Sequence, residues 1–230
     1  MPETFTLIHT SPVLAPVFAA LCKQHLPGAT IFHMVDESLI RDTIAHNKLR
    51  KLTIRRLISM IESAEAAGAT AVMVTCSSIG PAASLAQKLF DIPVFRIDDA
   101  MAEKAVASGG RIGVLATLRT TLDPTLALLA EKAESAGRSV EIVEGLCAKA
   151  FDAVLSGDTE THDRIVSEAL LQMASKVDVI VLAQASMARV LNNMPPGSVS
   201  IPVLSSPELA VLQAKDVLLR RAPSNREGAA

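Results

Sequence analysis

Gly68-Ala69-Thr70-Ala71-Val72-Met73-Val74-Thr75-Cys76-Ser77-Ser78-Ile79-Gly80-Pro81 runs from an apolar stretch into small polar residues and then a proline. Residues 71–75 read as a strand buried on both faces, because the run is apolar instead of alternating. Proline is favoured in the first turn of a helix, so a helix starts near Gly80-Pro81. Cys76 stands between the strand end and the helix start. A strand–loop–helix corner of this kind is half of a βαβ unit and points to a parallel sheet.

Similar corners recur along the chain. Strand-like runs at 5–9, 30–35, 71–75 and 93–97 alternate with helical patterns such as 52–67, whose Ile54, Leu57, Ile58 and Ile61 share one face. Further strands read at 111–116, 140–143, 177–183 and 202–205. The two series are related by a nearly constant offset. Asp36 and Glu144, Cys76 and Gln184, and Ser78 and Ser186 are each 108 positions apart. Ile92-Pro93-Val94-Phe95 precedes Ile201-Pro202-Val203-Leu204 by 109. Repeated coincidence in the same structural context indicates an internal duplication. The expected fold is α/β: two pseudo-symmetric Rossmann-like lobes, each a mainly parallel four-stranded sheet flanked by helices. Residues 1–98 with a returning C-terminal helix at 208–230 form the first lobe, and 99–207 the second. Loops beyond the carboxyl ends of parallel strands form the usual crevice, so a small ligand is expected between the lobes.

Composition narrows the function. Half of the 230 residues are apolar, yet there is no Trp or Tyr and Phe occurs six times. Single-strand nucleic-acid binding uses aromatic platforms, and a net charge of −2 gives no attraction for a polyanion. Nucleic acid is therefore not an expected partner. No apolar run reaches the length of a membrane span, and the amino end carries no secretory pattern. Three scattered cysteines make neither a disulfide framework nor a zinc site. The expectation is a cytoplasmic protein with reduced thiols and no metal. No glycine-rich phosphate loop is present, so no dinucleotide or ATP cofactor is expected.

Cys76 admits two readings from its surroundings. Free N–H groups at a helix start favour a thiolate there, and with the Ser77 and Ser78 hydroxyls they suit a carboxylate. The other reading is a small buried apolar residue. The segments Thr75-Cys76-Ser77-Ser78, Arg111-Ile112-Gly113-Val114-Leu115-Ala116-Thr117 and Val181-Leu182-Ala183-Gln184-Ala185-Ser186-Met187 go further. In them the chain resembles the aspartate/glutamate/hydantoin racemase superfamily, which also contains arylmalonate decarboxylases and maleate isomerases. The resemblance spans essentially the whole chain. It implies two Rossmann-like lobes, no cofactor, a small carboxylate-bearing substrate, a homo-oligomer, and a cysteine from each lobe acting as opposed base and acid. It makes Cys76 catalytic, and it marks Ser77, Ser78 and Ser186 as anion-binding and Thr117, Thr120 and Thr121 as carboxylate-binding.

The sequence departs from that pattern at one place. Gln184 stands where the second cysteine belongs, and an amide cannot relay a proton at neutral pH. Three outcomes stay open. His9 or Cys147 replaces the missing acid; the reaction is a decarboxylation that needs one protonation; or Cys76 attacks covalently. In each, Gln184 is a catalytic candidate as a hydrogen-bond donor to developing negative charge. An isomerase-type reaction through a carbanion or enediolate is the leading expectation. A lyase is the alternative, and a non-catalytic two-lobed binder the second.

Other residues carry paired readings. His9, Ser11 and Thr75 end strands and are taken as substrate-binding with Ser77, Ser78, Thr117, Thr121 and Ser186, although His9 suits a structural role equally. The threonines at 117–121 also read as helix caps before Pro124. Asp98 and Asp99 are expected to cap a helix at 101–107. Cys22 is expected in the core, His162 in a structural place, and the polar tail 220–230 is expected to be disordered.

Overall fold

An apolar strand in a parallel sheet has to be covered on both faces. The computed structural model, which describes residues 3–221, places β3 (Ala71–Val74) between β1 (Thr4–His9) and β4 (Val94–Arg96), buried at every position. β2 (Thr30–Val35) lies outside β1, giving the order β2-β1-β3-β4. The second sheet repeats it as β6-β5-β7-β8, with β5 (Arg111–Ala116), β6 (Glu141–Leu146), β7 (Val179–Leu182) and β8 (Val203–Ser205). Every pairing is parallel. The expected α/β class with two four-stranded parallel sheets is what the chain adopts. β6 runs beyond the expected 140–143 because its pairing with β5 continues to Leu146 opposite Ala116. As an edge strand it carries Glu144 and Gly145, which no buried strand pattern would suggest.

The helices are α1 (Ala15–His25), α2 (Glu37–Ala45), α3 (Lys51–Ala66), α4 (Gly80–Ala86), α5 (Asp99–Ser108), α6 (Arg119–Ser135), α7 (Ala148–Leu155), α8 (Thr159–Ala174), α9 (Ala188–Asn193) and α10 (Ser206–Arg221). Arg220 and Arg221 thus close α10, and the rest of the tail, 222–230, lies outside the described residues.

Strand alternation sends side chains to two cores per sheet. Ile8, Val72 and Val74 meet Leu39, Leu57 and Ile61 of α2 and α3. Phe5, Leu7, Ala71 and Met73 meet Phe18 and Cys22 of α1 and Ala210, Val211 and Ala214 of α10. In the second sheet, Val114 and Val181 face Met101 and Leu129 of α5 and α6. Leu115, Ile180 and Leu182 face Ala150, Val166 and Leu170 of α7 and α8. Each fully buried large side chain contributes about 1.5–3 kcal/mol. The chain crosses between the cores twice: after β4, α5 joins the second, and after β8, α10 returns to the first.

The first crossing contains a buried ion pair. Asp98 occupies the N-cap position of α5 but makes no side-chain cap. Its carboxylate takes two hydrogen bonds from Arg96, Nε and Nη2 each at 3.0 Å, and Arg96 also donates to Ser84 at 3.0 Å. The cap expected from the sequence loses because two charges that are almost fully buried must satisfy each other. Asp99 likewise pairs with Lys132 at 3.3 Å. Gly80 lies hard against the guanidinium, where a Cβ would come within 2.7 Å of Arg96 Nη2.

Candidate active site

Sheet growth reverses direction between β1 and β3, and between β5 and β7, so the crevice of each lobe opens at those strand ends. Cys76 follows β3 as the N-cap of a 3-10 turn (Ser77–Ile79) that feeds α4. Gln184 follows β7 as the N-cap of a 3-10 turn (Ala185–Met187) that feeds α9. Their backbone angles agree closely, with φ −135° and ψ 114° at Cys76 and φ −122° and ψ 134° at Gln184. The duplication read from spacing therefore extends to the backbone of the two corners.

The side chains around the two corners differ. Cys76 is half-buried, while Thr10, Ser77 and Ser78 around it are buried. Burial pushes its thiol above the ordinary value. The Thr10 and Ser78 hydroxyls and the Ser78 and Ile79 N–H groups act in the opposite direction, by favouring the charged form. The thiolate expected at a helix start thus meets a larger opposing effect, desolvation. At the other corner, Gln184 Oε1 accepts from the Thr117 N–H at 2.5 Å and from the Thr117 hydroxyl at 2.9 Å. An obligatory backbone donor fixes which amide atom faces Thr117. Gln184 Nε2 donates to no protein group among the described residues.

The corners meet through hydroxyls. Ser78 Oγ and Thr121 Oγ1 lie 2.8 Å apart, both nearly fully buried, which seats the Cys76 turn against the start of α6. α6 begins at Arg119 with Leu118 as N-cap and no side-chain cap, so Thr117 and Thr121 do not cap it. Thr117 instead serves Gln184. Ser11 is half-buried at the turn after β1, and Ser186 is exposed, unlike its buried counterpart Ser78.

His9 lies deeper than expected of a ligand contact. It is fully buried, with Nδ1 2.8 Å from Thr75 Oγ1 and Nε2 2.9 Å from His33 Nδ1. Both ring nitrogens are occupied by protein, so its geometry is that of the structural reading. The Thr75 hydroxyl donates to the Ile8 carbonyl at 3.1 Å and is buried with it. Cys147 is buried in the apolar core beside Leu115 and Leu182, and burial pushes its thiol up as well. Both side chains, those of His9 and Cys147, are held among protein groups. His162 is buried at 2.8 Å from Asp163, and Cys22 is buried in the first core.

Thr10 lies beside Cys76 and His33 beside His9, and neither was singled out individually by the sequence reading. Thr10 had its loop position as a signal; His33 had none, since its role depends on which strand lies beside β1. Two surface grooves, of about 570 and 390 Å³, run along α5 and α10 and below α4, and contain neither Cys76 nor Gln184. Among the described residues no helix is long and apolar enough to cross a membrane, and no cluster of three or more His, Cys, Asp or Glu could hold a metal ion.

A sequence model described as Asp/Glu/Hydantoin racemase matches residues 9–214, which include every strand end of both corners. The chain belongs to the Asp/Glu/hydantoin racemase family. Solved structures share the fold. A glutamate racemase isoform from Bacillus anthracis superposes with a TM-score of 0.72 at 17% identity, over 96% of this chain and 83% of that one. The aspartate racemase of Picrophilus torridus gives 0.70 at 16% identity, over 93% and 94%. An allantoin racemase from Klebsiella pneumoniae gives 0.62 at 15% identity, over 95% and 88%. At such identities the likeness concerns the fold. No curated protein sequence matches the chain significantly. Of the two matching corners, one carries a thiol and the other an amide, Cys76 and Gln184.

Proposed function

We propose that this racemase-family chain is an enzyme that forms a carbanion or enediolate beside the carboxylate of a small substrate, with Cys76 as its proton-transfer group. The observation that carries the reading is the equivalence of Cys76 and Gln184: two matching corners, of which one bears an acid–base group. Ser77, Ser78 and Thr121 supply hydroxyl donors for a carboxylate, which would take over the hydrogen bond that Ser78 and Thr121 now share. The Gln184 Nε2, held outward by Thr117, donates to the oxygen on which charge develops.

In the isomerase-type reaction the Cys76 thiolate takes the α-proton and becomes a thiol. The electron pair of the broken C–H bond delocalises into the carboxylate as an enediolate. The cycle closes when the Cys76 thiol returns its proton to the α-carbon, or when water protonates the opposite face and the resulting hydroxide takes the proton from the thiol. No step calls for a cofactor. A lyase reading is favoured by one specific observation: Gln184 cannot deliver a second proton, while His9 has both ring nitrogens occupied by protein and Cys147 is buried in an apolar core. There, a malonate-like substrate loses CO2, its bonding pair stays behind as the enediolate, and the Cys76 thiol protonates it on one face. Water then restores the thiol.

Incubation with small α-carboxylates and malonates in D2O, followed by NMR, tests both. Deuterium at the α-carbon without loss of carbon supports the isomerase, and CO2 release supports the lyase. Either activity must vanish in Cys76→Ala. Substrate-class binding with neither reaction would leave a non-catalytic binder.

A further inference from the structure

The two halves of the chain treat the same sheet edge differently. β2 and β6 are the equivalent outer strands of their sheets, each paired only with its inner neighbour. β6 carries two carboxylates, Glu141 and Glu144, and charges of this kind keep an open edge from pairing. β2 is equally long, yet Thr30-Ile31-Phe32-His33-Met34-Val35 contains no carboxylate, lysine, arginine, proline or glycine. Phe32 and Val35 are each 44% exposed there, and His33 is exposed between them. Nothing in β2 protects its edge.

The backbone defines what would complete that edge. The N–H groups of Thr30 and Asp36 donate to the Glu3 and His9 carbonyls at 2.8 and 3.0 Å. The even-numbered residues therefore turn their amides toward β1, and Ile31, His33 and Val35 turn N–H and C=O outward. Those outward groups bond no partner among the described residues. The set is symmetric about His33. A second β2, laid antiparallel on a two-fold axis at His33, pairs His33 with its own copy and Ile31 with the partner's Val35. Every outward donor and acceptor of both strands is then used. The same register sets Phe32 beside the partner's Met34, apolar against apolar.

Charge at the two ends agrees with this pairing. β2 follows the last turn of α1, which carries Lys23, and runs into Asp36 and Glu37 at the start of α2. Lys23 has no ion pair among the described residues, and Glu37 has only an exposed one with Arg41 at 3.7 Å. Antiparallel pairing brings each basic start to the other copy's acidic end. We propose that the β2 edge is a docking surface for a second copy of this chain, joined antiparallel about His33 so that two first-lobe sheets become one. A foreign strand would satisfy the same amides, but nothing would make it match their symmetry or the opposed charges of the ends.

The test is the mass of the full chain by sedimentation equilibrium at tens of micromolar, expected at twice the 24.3 kDa of one chain. Phe32→Lys places charge in the seam and should sediment as a single chain with an unchanged far-ultraviolet CD spectrum. Leu146→Lys, at a 40% exposed position of the equivalent edge strand β6, should keep the doubled mass. Residue-resolved amide hydrogen exchange of the wild type reads the register without any variant. Ile31, His33 and Val35 should exchange about tenfold more slowly, or slower still, at high than at low protein concentration, while Phe32 and Met34, bonded to β1, stay constant. A wild type at the mass of one chain overturns the proposal, whether those three amides are open or covered by another segment or protein. A dimer that survives Phe32→Lys, or that leaves the three amides open, also overturns it by placing the contact elsewhere. No readout involves Cys76 or turnover, so failure of the proposed function is separable from failure of this inference.

Discussion

The hydroxyl of Ser78 in the first lobe lies 2.8 Å from that of Thr121 in the second, and both side chains are nearly fully buried. The pair joins the turn that carries Cys76 to the first turn of α6, so it acts as a contact between lobes and as a ready-made donor pair. A neutral hydrogen bond contributes about 1 kcal/mol net, and an orphaned buried hydroxyl costs about 1–3 kcal/mol. Ser78→Ala and Thr121→Val should each destabilise by that amount. The double variant should cost less than the sum, with a coupling of about 1 kcal/mol in a denaturation cycle. Additive losses would mean that the two hydroxyls do not depend on each other.

Asp98 and Arg96 form the buried ion pair at the first crossing between lobes. Removing one partner leaves a charge with no water to solvate it, a loss of about 3–5 kcal/mol. Asp98→Asn should therefore lower the melting temperature far more than Asp99→Asn, whose partner Lys132 keeps Glu103 at 2.8 Å. Gly80→Ala should also destabilise, because its new methyl group meets the Arg96 guanidinium. Equal melting temperatures for the two Asn variants would remove the ion pair from any structural role.

His9 makes stability depend on pH. Its pKa is lowered from 6.5 to about 4 by burial and by His33. The unfolded chain takes up the proton first as pH falls, so stability is fully present above about 6.5 and is lost progressively down to about 4. Integrated over that interval, the loss is roughly 3 kcal/mol. Melting curves between pH 7 and 4 should fall steeply in the wild type and less so in His9→Gln. Parallel curves would show that His9 protonates in the fold without penalty.

The corner at Cys76 could be read from sequence because its signals are local: an apolar run, a break, then Pro81. The duplication could be read because 108 residues separate matching landmarks in both halves. Interactions that depend on which strands or lobes become neighbours left no such mark. His33 sits in an apolar run, and only the β1–β2 pairing turns it toward His9. Ser78 and Thr121 meet because two lobes come together. Asp98 was misread as a cap because a capping carboxylate and a carboxylate two residues from a buried arginine look alike in sequence. The alternative reading of threonines 117 and 121 as helix caps falls away, because α6 begins at Arg119 with Leu118 as its N-cap.

The pH dependence of turnover separates the two proposed reactions. Burial raises the Cys76 pKa, so the thiol form prevails at neutral pH. Proton abstraction needs the thiolate, and its rate should climb with pH until that raised value is passed. Protonation after loss of CO2 needs the thiol, and its rate should hold at neutral pH and fall in the alkaline range. The kcat/KM profile measured with an active substrate distinguishes the cases. A profile with no alkaline limb of either sign would remove Cys76 from the proton transfer.

Gln184→Cys puts a thiol at the second corner, equivalent in backbone to Cys76. The backbone at Gln184 matches that at Cys76, so a cysteine there is held at the same kind of turn. The substitution removes the acceptor that satisfies the Thr117 N–H, and a cost of about 1–3 kcal/mol in stability is expected. In return, a second acid–base group stands at the end of β7, at the position equivalent to Cys76. If Gln184 is what confines the wild type to one face, the variant should exchange the α-proton of both enantiomers of a small α-carboxylate and interconvert them. The wild type should exchange one enantiomer at most. Polarimetry alongside deuterium incorporation checks this, with Cys76→Ala/Gln184→Cys as the matching control. Exchange restricted to a single enantiomer in the Gln184→Cys variant would mean that the second corner does not face the substrate, and that the equivalence of Cys76 and Gln184 ends at the backbone.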